Sequence, residues 1–171
     1  MIPLVVIPTY NERENIARLL PLVLASLPGC HVIVVDDSSP DGTGEAVREA
    51  ARRRRGRVRL IERPRKMGLG SAYMAGFRAA LADRRYGPVI QMDADGSHDP
   101  ADLPRIADAL RRSDLVVGSR YRGGMRVIDW PLYRLLLSTM ANRYASAVTG
   151  TPVHDLTGGF NGWSRAALSP P

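Results

Sequence analysis

Short apolar runs recur along this chain at Leu4–Ile7, Val32–Val35, Val58–Ile61, Val89–Met92 and Leu115–Val117, and each gives way to a polar loop. Val- and Ile-rich runs without polar alternation fit strands buried on both faces. Between them the apolar spacing changes to a helical period over about Glu14–Ser26, Thr43–Arg54, Gly70–Ala82 and Ala101–Arg111. Asn11 and Glu14 are spaced as a capping box for the first helix. Asp99, Pro100 and Asp102 fit N-cap, N1 and N3 of the fourth. Strand and helix alternating in this way predict an α/β domain with a mostly parallel central sheet and helices on both faces. Such sheets bind ligands beyond the carboxyl ends of their strands. The polar clusters PTYNE, DDSSPDGT, ERPRKMG, DADGSHD and GSRYRGG all fall there, and together form the rim of an active site.

A length of 171 residues fits one domain over 1–171 with a substantial core. No apolar run approaches the ~20 residues of a membrane-spanning helix, so no transmembrane segment is expected. The first residues, MIPLVVIPTYNE, lack the basic leader of a signal peptide. Cys30 is alone, excludes an internal disulfide, and reads as a small buried hydrophobe. The net charge is +7, and Lys66 is the single lysine in an arginine-rich chain. The densest basic run, Arg52–Arg55 with Arg57 and Arg59, reads first as a solvated helix end. An anionic membrane surface is the functional option. Nucleic acid is disfavoured, since no recognition motif or interleaved aromatics accompany the run.

Two acid pairs follow apolar strands. In DAD, alternate residues of an extended chain share a side, so Asp93 and Asp95 can face one point. Converging carboxylates are costly unless a cation joins them. Mg²⁺ takes few protein oxygens and completes its octahedron with water and phosphate, so a metal site is expected here. Asp36 and Asp37 stand where acids accept from ribose hydroxyls or a base edge, or open an Asx turn into Pro40-Asp41-Gly42. The first loop is not glycine-rich, which argues against a dinucleotide fingerprint and a P-loop. MGLGS holds only a GxG, but a helix starting near Gly70 offers its N-terminus to an anion with Lys66 beside it.

The ordered segments VVIPTYNERENI, VVDDSSPDGT, KMGLGSAYMAGF, MDADGSHDP, DLVVGSRYRGG and DLTGGF cover nearly the whole chain. In that order they resemble the polyprenol-phosphate (dolichol-phosphate) mannose synthases, inverting glycosyltransferases of the GT-A class. The resemblance implies a Rossmann-like three-layer fold, Mg²⁺ or Mn²⁺, a nucleoside-diphosphate sugar, most simply GDP-mannose, and a polyprenyl phosphate acceptor. It implies that Pro8, Tyr10, Glu12, Val35, Asp36, Asp37, Lys66, Asp93, Ala94 and Asp95 bind the nucleotide sugar. It places Asp93, Asp95 and Ser97 at the metal, Arg120 and Arg134 on the acceptor phosphate, and Asp155 near the acceptor. Asp95, Arg120, Arg134 and Asp155 are then the catalytic set.

A phosphate monoester is largely a dianion at neutral pH, so the acceptor needs no strong base. The motifs accordingly carry no catalytic histidine, and His98 reads as a supporting residue of its loop. Trp130–Val148 reads as a helix opening on Pro131, either packed on the sheet or lying amphipathically on a membrane with Arg134 presented to a lipid phosphate. Work at the cytoplasmic face of a membrane is expected, with a separate membrane-anchoring subunit as one possible partner and no nucleic acid. Relatives carry a further unit with an Arg- and Lys-bearing loop after DLTGGF. The resemblance therefore implies a catalytic domain shortened at the C-terminus, with a more open site. Two rivals come from other classes. MDADGS also resembles the DxDG of haloacid-dehalogenase-type phosphohydrolases, although the downstream acids Asp129 and Asp155 lie in the wrong pattern. The chain's length leaves room for a non-catalytic nucleotide- or lipid-phosphate-binding module.

Overall fold

The residues of the first strand, β1 (Ile2–Thr9), divide between two cores. Val5 and Ile7 belong to one hydrophobic cluster, and Leu4 and Val6 to another. The second strand, β2 (His31–Asp36), repeats the division, with Val32 and Val34 on one side and Ile33 and Val35 on the other. A strand covered on both faces has no solvent side to mark with polar residues, which is why these runs do not alternate. The computed structural model describes residues 1–54, 56–118 and 159–169.

Helices α1 (Arg13–Ser26) and α2 (Thr43–Arg53) pack on the face of Val5 and Ile7, and α4 (Leu103–Ala109) joins them there. Helix α3 (Leu69–Ala82) covers the opposite face through Ala72, Tyr73, Phe77 and Ala80. Gly76 lets it lie close, since a Cβ there would come within 2.3 Å of a Val6 methyl on β1. β3 (Val58–Glu62), β4 (Tyr86–Gln91), β5 (Leu115–Val117) and β6 (Asn161–Trp163) complete a six-stranded sheet of order β3-β2-β1-β4-β6-β5. The pairs β1–β2, β1–β4 and β2–β3 are parallel, whereas β6 runs antiparallel to both β4 and β5. The expected three-layer α/β architecture, mostly parallel, is therefore present.

The sequence reading missed β6. Asn161-Gly162-Trp163 lacks the β-branched signature, and tertiary fit makes it a strand. A Cβ on Gly162 would approach Ile106 of α4 and Leu110 at its C-cap to 2.6 and 2.8 Å, so the bare glycine lets α4 close over the sheet. Trp163 Nε1–H donates to Gln91 Oε1 (2.6 Å). Just beyond, in the short helix α5 (Arg165–Leu168), the Arg165 guanidinium donates to the carbonyls of Ala80, Leu81, Asp83 and Tyr86. It thereby engages carbonyls of the last turn of α3, Ala80 and Leu81, and ties them to Tyr86 on β4.

Among the described residues of the basic run, Arg52 and Arg53 pair with Glu49, and Arg57 donates to the carbonyls of Cys30 and Leu24. Much of that charge is locally engaged, as a solvated helix end requires. Cys30 is wholly buried, and its burial pushes the thiol pKa up.

Candidate active site

Strand order reverses at β1: the chain runs outward on one side through β2 to β3, then crosses back to place β4 on the other side of β1. A crevice opens beyond the strand ends at such a point. Here it is a cleft of about 290 Å³. Pro8 enters it from the end of β1, Tyr10 and Glu12 from the loop after β1, Asp37 from just after β2, Lys66 from the loop after β3, and Asp93, Ala94 and Asp95 from the loop after β4. The sequence reading expected all eight. Thr9, Gly68, Leu69 and Ala72 line the cleft as well and were missed, being small or apolar residues without a chemical signature.

The loop after β1 takes its shape from the loop after β2. Asn11 (φ 59°) and Ser38 (φ 53°) are the non-glycine residues with positive φ among those described. Successive N–H groups of Asn11, Glu12 and Arg13 donate to Ser39 Oγ, Thr43 Oγ1 and Asp41 Oδ2 at 3.0, 3.0 and 3.1 Å. The expected Asn11–Glu14 capping box does not form. Glu12 is the N-cap residue, and the second loop supplies the acceptors instead. The other expected cap is present: Asp99 accepts from the Ala101 N–H at 2.9 Å and opens a 3₁₀ turn, Pro100–Asp102, that leads into α4.

Asp36 accepts from Thr9 Oγ1 (2.8 Å) and from the N–H and hydroxyl of Ser39 (2.9 and 2.6 Å). It is 1% exposed, Val35 is fully buried, and neither lines the cleft. Asp37 forms a buried bidentate pair with Arg63, Nε to Oδ1 at 2.5 Å and a terminal nitrogen to Oδ2 at 2.7 Å. The Met67 N–H adds a third bond to Asp37 (2.8 Å). Burial raises this carboxyl's pKa, but the bonds from Arg63 and Met67 and the charge of Arg63 outweigh that, and the net shift is downward. Arg63 also reaches Ser71 Oγ (2.6 Å) and the Gly68 carbonyl (3.1 Å), so it ties β2, the KMGLG loop and α3 together. The sequence reading did not single out Arg63, since one arginine among many carries no signal. Lys66 holds its ammonium 4.2 Å above the Tyr10 ring at the cleft.

At the end of β4, Asp93 Oδ1 accepts from the Tyr73 hydroxyl at 2.6 Å. Burial, then the charge of Asp93, push the Tyr73 pKa far up, so this hydroxyl remains a donor. The Asp93 N–H donates to His98 Nδ1 at 3.0 Å, which puts the proton of the neutral ring on Nε2, 3.8 Å from Asp93 Oδ2. The His98 ring stacks on Phe160 with centroids 4.8 Å apart. Asp95 is exposed and accepts from the Ser97 N–H at 2.9 Å; Ser97 is exposed and lies outside the cleft lining.

Among the described residues, no arginine or lysine forms an ion pair with Asp93 or Asp95, and no cluster of three or more His, Cys, Asp or Glu could hold a metal. Two unneutralised carboxylates at an open cleft suit a hard divalent cation that draws most of its ligands from water and a diphosphate. Arg120, Arg134 and Asp155, like the Trp130–Val148 segment, lie outside the described residues.

A sheet of this order, with a strand-end acid pair and a cleft at its reversal point, defines an α/β glycosyltransferase domain of the GT-A type. The chain belongs to Glycosyl transferase family 2, whose profile matches residues 4–169. It is 46% identical over 166 residues to a polyprenol monophosphomannose synthase of Mycolicibacterium smegmatis, covering 96% of this chain and 62% of that protein. It is 41% identical over 165 residues to an undecaprenyl-phosphate mannosyltransferase of Micrococcus luteus, covering 96% and 67%. The fold matches a mannosyltransferase from Pyrobaculum calidifontis, solved with GDP-Man and Mn²⁺, at a TM-score of 0.61 and 22% identity, over 96% of this chain and 44% of that one. The chain thus spans less than two thirds of the first relative's length. Family membership sets aside the phosphohydrolase reading of MDADGS.

Proposed function

We propose that the protein transfers mannose from GDP-mannose to a polyprenyl phosphate, with inversion and with Mg²⁺ or Mn²⁺. The observation that carries this is the pair Asp93 and Asp95, without a basic partner among the described residues, in one cleft with Tyr10, Glu12 and Lys66. The names of the mannosyltransferase relatives support the substrates, and the Pyrobaculum complex supports a divalent metal.

In this reading Asp93 and Asp95 hold the cation, which when bound neutralises charge on the departing diphosphate. Lys66 adds a positive charge near the same groups. The N-terminus of α3, reached through Gly68 and Leu69, offers unpaired N–H groups to an anion. The acceptor phosphate is its own nucleophile. His98 fits this economy: its lone pair at Nδ1 accepts from the Asp93 N–H, so it serves the loop and not as a base. Arg120 and Arg134 are proposed to clamp the acceptor phosphate, with Asp155 nearby. No helix among the described residues is long and apolar enough to cross a membrane; the lipid acceptor proposed here places the reaction at a membrane face, taken as the cytoplasmic one. Exposed Met67, Leu69 and Met74, close in sequence to Arg65, Lys66 and Arg78, supply an apolar and basic surface beside the cleft for that contact.

The test is transfer of labelled mannose from GDP-mannose to a short polyprenyl phosphate, with and without Mn²⁺, read as solvent-extractable label. Cation-dependent mannolipid is the expected result. Cation-dependent GDP binding without transfer would instead favour a binding module. A preference for a UDP- or dTDP-sugar would overturn the donor assignment.

A further inference from the structure

Helix α3 reaches both ends of the cleft. Around its first turn, Gly68 and Ser71 are held by Arg63. Further along, Tyr73 reaches the Asp93 carboxylate from a site 5% exposed, where its ring packs 6.2 Å from that of Phe77. The helix has little freedom to move away, because Gly76 seats it on Val6 of β1.

Asp93 is held at its carboxylate and at its main chain. Its Oδ1 takes the Tyr73 hydroxyl, and its main-chain N–H is fixed by His98, itself stacked on Phe160. On the Oδ2 side stands Gly159, where a Cβ would approach to 2.5 Å. A carboxylate at a strand end otherwise rotates broadly about its terminal torsion. Asp95 is more exposed, and its recorded bond is the Ser97 N–H two residues on.

We propose that Tyr73 is a positioning residue for the divalent cation: its hydroxyl fixes the Asp93 carboxylate before the cation arrives. Asp95, exposed and bonded to the Ser97 N–H, would be the more adaptable of the two residues that hold the cation. This rests on the metal-dependent reading above. A hydrogen-bond donor behind a ligating carboxylate orients it, and losing such a partner typically weakens metal binding 10–100-fold.

The experiment measures Mn²⁺ affinity by electron paramagnetic resonance of the free ion, at saturating GDP and without an acceptor. Tyr73→Phe keeps the ring and its packing on Phe77. Its Mn²⁺ affinity should fall about 10-fold or more, while GDP binding in EDTA stays at the wild-type level. Adding Tyr73→Phe to Asp93→Asn should bring no further loss, since the hydroxyl acts through that carboxylate. Gly159→Ala, which intrudes on the other side of the same carboxylate, should weaken Mn²⁺ binding independently. Wild-type Mn²⁺ affinity in Tyr73→Phe, or additive losses in the double variant, would overturn the positioning role and leave the metal site standing. A wild-type protein that binds no Mn²⁺ would bring down both.

Discussion

At the end of β2, Asp36 is buried and Asp37, although it lines the cleft, is paired with Arg63; after β4, Asp93 and Asp95 line the same cleft without a basic partner among the described residues. In sequence the two sites look alike, each a buried apolar strand that stops at paired acids. In the structure Asp36 braces the ends of β1 and β2 through Thr9 and Ser39, and Asp37 is neutralised by Arg63. Asp93 and Asp95 have hydrogen-bond donors but no basic partner among the described residues. Neutral donors hold Asp36 and a guanidinium meets Asp37, whereas the second pair has donors without a basic partner among the described residues. A carboxylate pair that lowers its energy by meeting a ligand is a binding device, and one already satisfied is a joint.

The largest effect should come from breaking the open pair. Asp95→Asn should weaken Mn²⁺-dependent GDP binding by at least ~100-fold, judged against the 10–100-fold typical of losing a mere supporting partner. Its apo stability should hold or rise, because one of two repelling charges is gone. Calorimetric titration and urea unfolding on the same sample would check this. Wild-type binding would mean that the β4 acids are no more a metal site than the β2 acids.

The satisfied pair should respond in the opposite way. Arg63→Met strands Asp37 in a buried position, and breaking such a pair costs about 3 kcal/mol. Urea denaturation should show that loss, with nucleotide affinity falling only as far as the KMGLG loop loosens. A pH series sharpens the contrast. The folded pKa of Asp37 is depressed below its ordinary 3.8. The stabilisation is therefore fully present above the unfolded value, and is lost as pH falls through the lower folded value. The stability gap between wild type and Asp37→Asn should be constant at neutral pH and shrink only in that acid window. A gap that closed near neutrality would contradict the Arg63 pairing.

The smallest effect is expected at the brace. Thr9→Val removes one donor to Asp36 while the two from Ser39 remain. It should cost about 1 kcal/mol and leave Mn²⁺ affinity unchanged. A fall in Mn²⁺ affinity would show that the two acid sites are coupled through β1.

The elements were largely legible because burial on both faces writes itself into a strand as uninterrupted Val and Ile. The first four helices and first five strands fall close to their expected positions. The exception, β6, forms because Gly162 admits α4 and Trp163 reaches Gln91, contacts between segments far apart in sequence. The cleft residues from PTYNE, Lys66 and DAD were legible as polar groups at strand ends. Arg63 and Tyr73 were not, since neither an arginine in an arginine-rich chain nor an aromatic on a helix announces its partner. Asn11 misled for a related reason: the acceptors for its loop came from Ser39, Asp41 and Thr43, which follow β2.

The sequence by itself determined the alternation of strands and helices, the edge on which the polar loops gather, and the acids that end β2 and β4. Those follow from local periodicity, which needs only neighbouring residues. Tertiary structure alone decided that Asp37 meets an arginine and that Asp93 takes a tyrosine hydroxyl. That depended on Arg63 reaching Asp37 across 26 residues, and on Tyr73 reaching Asp93 across 20. A carboxylate's role is set by the cation or donor that arrives beside it, and here one comes from just after β3 and the other from α3.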